Sequence, residues 1–127
     1  MSELQYNVLD EPLKQCGMNP KTGYFRDGSC RTDSTDVGSH TLCAVVTDEF
    51  LLYSKAQGND LITPVPQYDF PGLKAGDRWC LCASRWKQAF LEGAAPKVVL
   101  QATHKNVLQI LDLDDLLPFA VDLPNHS

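Results

Sequence analysis

Two thiols two residues apart, Cys80 and Cys82, stand between the chain's two tryptophans in Trp79-Cys80-Leu81-Cys82-Ala83-Ser84-Arg85-Trp86. An ionised thiol is both a nucleophile and a soft metal ligand, so this stretch is where chemistry is expected. Trp79 to Ala83 reads as a strand, with Cys80 and Cys82 on one face and Trp79, Leu81 and Ala83 on the other. Side chains at i and i+2 of a strand stand about 7 Å apart. That is too far for Cys80 and Cys82 to form an easy disulfide with each other, and poor for chelating one zinc. Cys82 is the more informative thiol. It precedes a helix N-terminus, whose partial positive charge favours a thiolate, and Arg85 adds a full positive charge nearby. If the strands around it run parallel, His104 ends the neighbouring strand at the same sheet edge, making Cys82, His104 and Arg85 the candidate catalytic set.

A second cluster is Asp36-Val37-Gly38-Ser39-His40-Thr41-Leu42-Cys43. A histidine and a cysteine three apart, with a carboxylate four residues upstream, suit either metal ligation or a carboxylate-oriented imidazole. A glycine-bearing turn leading into a strand accounts for the same residues. Cys80, Cys82, His40 and Cys43 are the candidate metal ligands, with zinc the metal they suit. The candidate binding residues are Asp36, His40, Arg26, Asn59, Asp60, Trp79 and Trp86. Arg26, Arg31, Arg78 and Arg85 would hold a carboxylate or phosphate if they converged.

The elements that must position these groups begin at Leu42. Residues 1–40 are broken by Asn19-Pro20, Thr22-Gly23, Asp27-Gly28 and Val37-Gly38, and read as a loop-rich wrap. Leu42 to Val46 is a compact run suited to a buried strand. Thr47 or Asp48 then caps a helix carrying Phe50, Leu51 and Ala56, which Gly58 stops. Residues 59–77 form a proline- and glycine-rich segment too apolar for a linker, expected to pack down as a wall. Ser84 is the expected cap of a helix with Trp86, Ala89, Phe90 and Gly93 at helical spacing. Residues 98–102 read as a third strand, and Thr103 or His104 opens a last helix. Strands near 42–46, 79–83 and 98–102 are expected in one sheet, the last two parallel, with the helix from Ser84 crossing between them. The expected fold is α+β: a single domain over 1–127, built as a two-layer sandwich with helices mainly on one face of a small sheet. Its parts are the wrap at 1–40, a core at 41–112 and a C-terminal extension at 113–127 that ends frayed.

At 127 residues the chain is long enough to bury about two thirds of its unfolded surface without crosslinks or metal. A net charge of −5 without a lysine or arginine cluster argues against a nucleic-acid partner. The first residues lack the basic and apolar regions of a secretory signal, and no run approaches the length of a membrane span, so neither membrane insertion nor secretion is expected. A cytoplasmic location follows. In that reducing compartment the five cysteines are expected to stay free, bind metal or react, with no disulfide formed and several of the thiols buried.

These boxes taken together resemble a family of small bacterial proteins catalogued as domain of unknown function 2237. The resemblance runs from about Asn7 to His104. It rests on Asn7-Val8-Leu9, Pro20-Lys21-Thr22-Gly23 with Arg26-Asp27-Gly28, Asp36-Val37-Gly38-Ser39-His40, Gly58-Asn59-Asp60-Leu61, Phe70-Pro71-Gly72-Leu73, the Trp79 to Trp86 box, and Ala95-Pro96 with Ala102-Thr103-His104. It implies a two-layer α+β sandwich and carries no established activity. Asp10 stands where the resemblance leads one to expect glycine, and Thr32-Asp33 where it leads one to expect threonine-glycine. The function expected is a Cys/His-centred small-molecule site, working by thiol chemistry or by zinc. The alternative is a non-catalytic ligand-binding or protein-interaction module whose cysteines are structural.

Overall fold

The computed structural model describes residues 5–18 and 20–122. The expected turn at Asn19 and the expected fraying beyond Pro124 lie outside the described residues.

Leu42–Val45 forms β1, the central strand of a three-stranded sheet. Arg78–Leu81 (β2) pairs with it antiparallel, setting Leu42 opposite Leu81 and Cys43 opposite Cys80. Lys97–Val98 (β3) pairs antiparallel on its other side. β2 and β3 therefore run in the same direction, as the sequence suggests, but β1 lies between them. Between β1 and β2 comes α1 (Asp48–Ala56), whose first turn is closed by Thr47, its Oγ1 accepting from the Phe50 amide at 3.1 Å. Acidic Asp48 and Glu49 begin it and Lys55 ends it, matching the helix dipole. Its buried face is Phe50, Leu51 and Ser54; Ala56 is exposed.

α2 (Ala83–Leu91) links β2 to β3. It starts earlier than expected, with Cys82 and not Ser84 at the cap position. Trp86 and Ala89 are buried, and Trp86 is wholly enclosed, with Nε1–H donating to the Pro96 carbonyl at 3.1 Å. Its ring stacks on Phe90 and meets Phe119 edge-on at 5.3 Å. With α3 (Leu113–Leu116) these elements make a small α+β domain.

The third strand is shorter than its β-branched run implies. After Val98 the chain turns into a 3-10 helix at Leu100–Ala102, because the Asp122 carboxylate accepts from the Leu100 and Gln101 amides at 2.7 and 2.9 Å. Thr103 Oγ1 donates back to the Val99 carbonyl at 2.8 Å. Side-chain hydrogen bonds have displaced ladder bonds here.

Alternation along β1 and β2 gives the sheet two different faces. Leu42, Ala44 and Leu81 enter the core beneath the helices. Cys43, Val45 and Cys80 point the other way, into a layer shared with Cys16, Cys30, Val99 and Ala102. That layer is roofed by residues before Leu42, among which the described ones carry no helix and no strand beyond isolated bridges. Asn7, wholly buried, fixes one end of the roof: its Nδ2 donates to the Gln101 carbonyl, and its Oδ1 accepts from the Leu9 and Glu11 amides. Thr22 Oγ1 accepts from the Cys80 amide at 2.7 Å.

The expectation that no disulfide forms is corrected here. Cys16 is bonded to Cys43 and Cys30 to Cys80. Cys43 and Cys80 lie opposite each other and face the roof, so the two roof cysteines come down onto them. The argument from spacing excluded only a Cys80–Cys82 bond, and an odd count leaves one thiol over. That thiol is Cys82, the free cysteine among the described residues.

Candidate functional site

Cys82 sits where β2 ends and α2 begins, half-buried. The turn before β1 is docked onto this junction. Ser39 adopts a left-handed backbone, φ 52°, and its carbonyl accepts from the Ala83 amide at 3.1 Å, the first amide of α2. That bond brings His40 to Cys82. Gly38 lets the two approach: a Cβ there would lie 2.9 Å from His40 Cε1 and 3.3 Å from Cys82 Sγ.

Asp36 orients the imidazole from behind. Its side chain is buried, with Oδ1 accepting from His40 Nδ1 at 2.6 Å and Oδ2 from the His40 amide at 2.9 Å. Thr32 Oγ1 donates to the same Oδ2 at 2.9 Å. With Nδ1 engaged by the carboxylate, Nε2 is the ring nitrogen available to Cys82. The hydrogen bond with Cys82 raises the His40 pKa from 6.5 to about 9; Asp36 adds to the rise and burial opposes it. The imidazole thus carries its proton at neutral pH. Tyr24 covers its face at 6.0 Å between ring centroids, held there by its hydroxyl donating to the Thr35 carbonyl.

The group opens onto a cavity of about 310 Å³. Tyr24, Leu61, Trp79 and Asn59 wall it beside His40 and Cys82, and Arg26 supplies a cation at the exposed side, its guanidinium 5.0 Å over the Trp79 ring. Phe70, from the wall segment, braces Trp79 from behind at 5.1 Å.

Asp36, His40, Cys82, Arg26, Asn59 and Trp79 are therefore gathered in one place, and several other candidates are not. His104 does not line this cavity. β1 separates β2 from β3, and β3 stops at Val98, so His104 does not end a strand beside Cys82. It caps the 3-10 helix Lys105–Gln109, its Nδ1 accepting from the Asn106 amide, and burial pushes its pKa down. Arg85 turns to the Gln57 carbonyl at the end of α1, at 3.4 Å. Trp86 is core. Asp60 folds its own turn, accepting from the Ile62 and Thr63 amides and the Thr63 hydroxyl, which pull its pKa down to about 2. Cys43 and Cys80, as disulfide partners, have no free thiolate for a metal. The four arginines do not converge, since Arg31 pairs with Asp27 and Arg78 reaches the Cys16 carbonyl.

Sequence reasoning missed Thr32, Gly38, Ser39 and Tyr24. Asp10, where glycine was expected from the resemblance, has φ 62°, the left-handed backbone that glycine favours. Thr32, at the other departure, is a donor to Asp36.

Fold and site together define a small α+β protein with a cysteine beside a histidine that is hydrogen-bonded to a buried aspartate, at the mouth of a cavity. The chain belongs to the family described as uncharacterized protein conserved in bacteria (DUF2237), whose model matches residues 6–120. No curated protein matches the chain. Among the described residues no helix is long and apolar enough to cross a membrane.

Proposed function

We propose that the protein is a thiol-dependent acyl-transfer enzyme in which Cys82 is the nucleophile, His40 its proton partner and Asp36 the group that orients His40. The observation that carries this reading is the chain Cys82–His40–Asp36, with the imidazole held protonated by the groups on either side of it. A nucleophile paired to a base that a third group orients is the arrangement acyl transfer uses. The sulfur of Cys82 attacks a carbonyl carbon, forming the S–C bond, and the carbonyl electron pair moves onto oxygen. In the first turn of α2 the Ala83 amide is held by the Ser39 carbonyl and the Arg85 amide by the Cys82 carbonyl, which leaves the Ser84 amide to face developing negative charge at that end. Collapse of the adduct expels the leaving group, which takes the proton from His40. Water then cleaves the thioester, with His40 accepting its proton. A cavity of about 310 Å³ with aromatic walls and Arg26 at its exposed side suits a small acyl compound bearing an anionic end.

The test is intact-mass analysis after exposure to small activated thioesters and to iodoacetamide, without reductant. The expected result is a single adduct on Cys82, formed at least about 100-fold more slowly in His40→Ala, the scale of a lost acid–base partner. Equal rates in the two proteins would refute the reading. A second reading, a binding module with structural cysteines, is favoured by four of the five cysteines lying in disulfides. It predicts that anionic ligands protect Cys82 from alkylation without leaving an acyl adduct.

A further inference from the structure

The sulfur layer beneath the roof takes no part in that chemistry. We infer that Cys16, Cys30, Cys43 and Cys80 form a second site, which binds one zinc ion when the two disulfides are reduced. The Sγ atoms of Cys16, Cys30 and Cys80 all lie within 4.8 Å of one another, although Cys16 is bonded to neither of the other two. Cys43, the fourth, is bonded to Cys16 and stands opposite Cys80 across the β1–β2 ladder. The four are thus one cluster and not two separate crosslinks. In a tetrahedral zinc tetrathiolate, with Zn–S of about 2.3 Å, the sulfurs sit about 3.8 Å apart. The three sulfurs that span the two pairs are within about 1 Å of that spacing already, and the Cα atoms within each bonded pair stand 5.7 and 5.3 Å apart.

The surroundings favour a soft cation over a hard one. The apolar members of the layer are otherwise Val99, Ala102 and part of Val45, and among the described residues no carboxylate joins the group of Cys16, Cys30 and Cys80. The Cys43 and Cys80 amides are already bound to Thr103 and Thr22, so the backbone there is satisfied in either state. Arg78, reaching the Cys16 carbonyl at 3.5 Å, brings a positive charge to the edge of what becomes a dianionic cluster. Left reduced and empty, four buried thiols would only pack; with zinc they again tie the roof to the sheet.

The conversion balances with a dithiol as reductant. Two dithiols each give two electrons and two protons, opening both protein disulfides and closing their own. The four protein thiols then lose four protons as they bind zinc. In reverse, two small-molecule disulfides accept the four electrons, the protein disulfides re-form and zinc leaves. Cys82 is not a ligand, so this site and the thiol site stand or fall separately.

The test uses whole protein reduced with an excess of a non-thiol phosphine, the reductant then removed under argon, and titrated with cobalt(II) and then zinc. Wild type and Cys82→Ser are each expected to take up about one equivalent of cobalt, with the intense bands of a tetrahedral tetrathiolate, and to exchange it for zinc. The oxidised proteins are expected to take up about none, and an added small disulfide should expel the metal from the reduced ones. Three outcomes would each overturn the inference: no uptake by reduced protein, equal uptake by oxidised protein, or uptake lost in Cys82→Ser. Circular dichroism of the reduced apo form tells whether it is folded before metal arrives; zinc binding that restores the fold supports the site as fully as binding to a folded chain.

Discussion

Replacing Cys82 by serine should move the titration of a different residue. Cys82 is the largest cause of the raised His40 pKa, ahead of Asp36. The rise from 6.5 to about 9 corresponds to about 3 kcal/mol in favour of the imidazolium. The side chain is 35% exposed, so solvent screening leaves about half of that. The assay is the pH dependence of the His40 ring-proton NMR signal. In wild type the midpoint is expected near 9; in Cys82→Ser it should fall toward 6.5, and in Asp36→Asn by a smaller step. Because the folded pKa is the higher one, the stabilisation is complete below 6.5 and is lost as pH rises through 9. Cys82→Ser should therefore cost about 1–2 kcal/mol in urea unfolding at pH 6 and little at pH 10. A His40 midpoint unchanged by Cys82→Ser would refute the pairing, whatever its effect on activity.

Gly38→Ala needs no left-handed backbone, yet its Cβ presses on both His40 and Cys82; alkylation of Cys82 should slow about tenfold or more while the urea midpoint moves little. Thr22→Val leaves the buried Cys80 amide without its acceptor, and unfolding should become easier by about 1–3 kcal/mol. Trp86→Ala empties the core beneath α2 and should cost about 3–5 kcal/mol, with loss of the ring-current shifts on Phe90 and Phe119 as the local check. Reduction in the presence of a chelator opens loops of 27 and 50 residues and should lower stability by about 2–4 kcal/mol for each crosslink.

The helices were legible because their signals are local. Thr47 caps with its own hydroxyl, and Phe50, Leu51, Trp86 and Ala89 repeat at the helical period. Sheet membership was legible from apolar runs, but the length of β3 was not, since the residue that ends it is Asp122, more than twenty positions away. The site was half legible. Asp36, His40 and Cys82 were all candidates, yet Cys82 was given His104 as its partner. What assigns His40 is the register of β1 against β2: one residue beyond the Leu42–Leu81 pair, Thr41 lies beside Cys82, and the turn carrying His40 folds over it. The cysteines were misread for a different reason. Compartment chemistry was used to decide pairing, whereas alternation along two adjacent strands already sent Cys43 and Cys80 to the same face.

The roof over the sulfur layer is made first and fixed last. During synthesis Cys16 waits 27 residues for Cys43, and Cys30 waits 50 for Cys80. At typical elongation rates the second interval is about 3–10 s, and in its first part, until Cys43 is made, Cys16 and Cys30 have only each other to pair with. Their sulfurs end up close in the finished fold, so that early bond is a near neighbour of the correct one and must be broken for β1 and β2 to receive their own partners. His40 leaves the ribosome long before Cys82, and the Ser39 carbonyl cannot find the Ala83 amide until α2 has begun. The thiol site is therefore absent from every nascent chain shorter than about two thirds of this sequence, and its reactivity reports that the roof has closed.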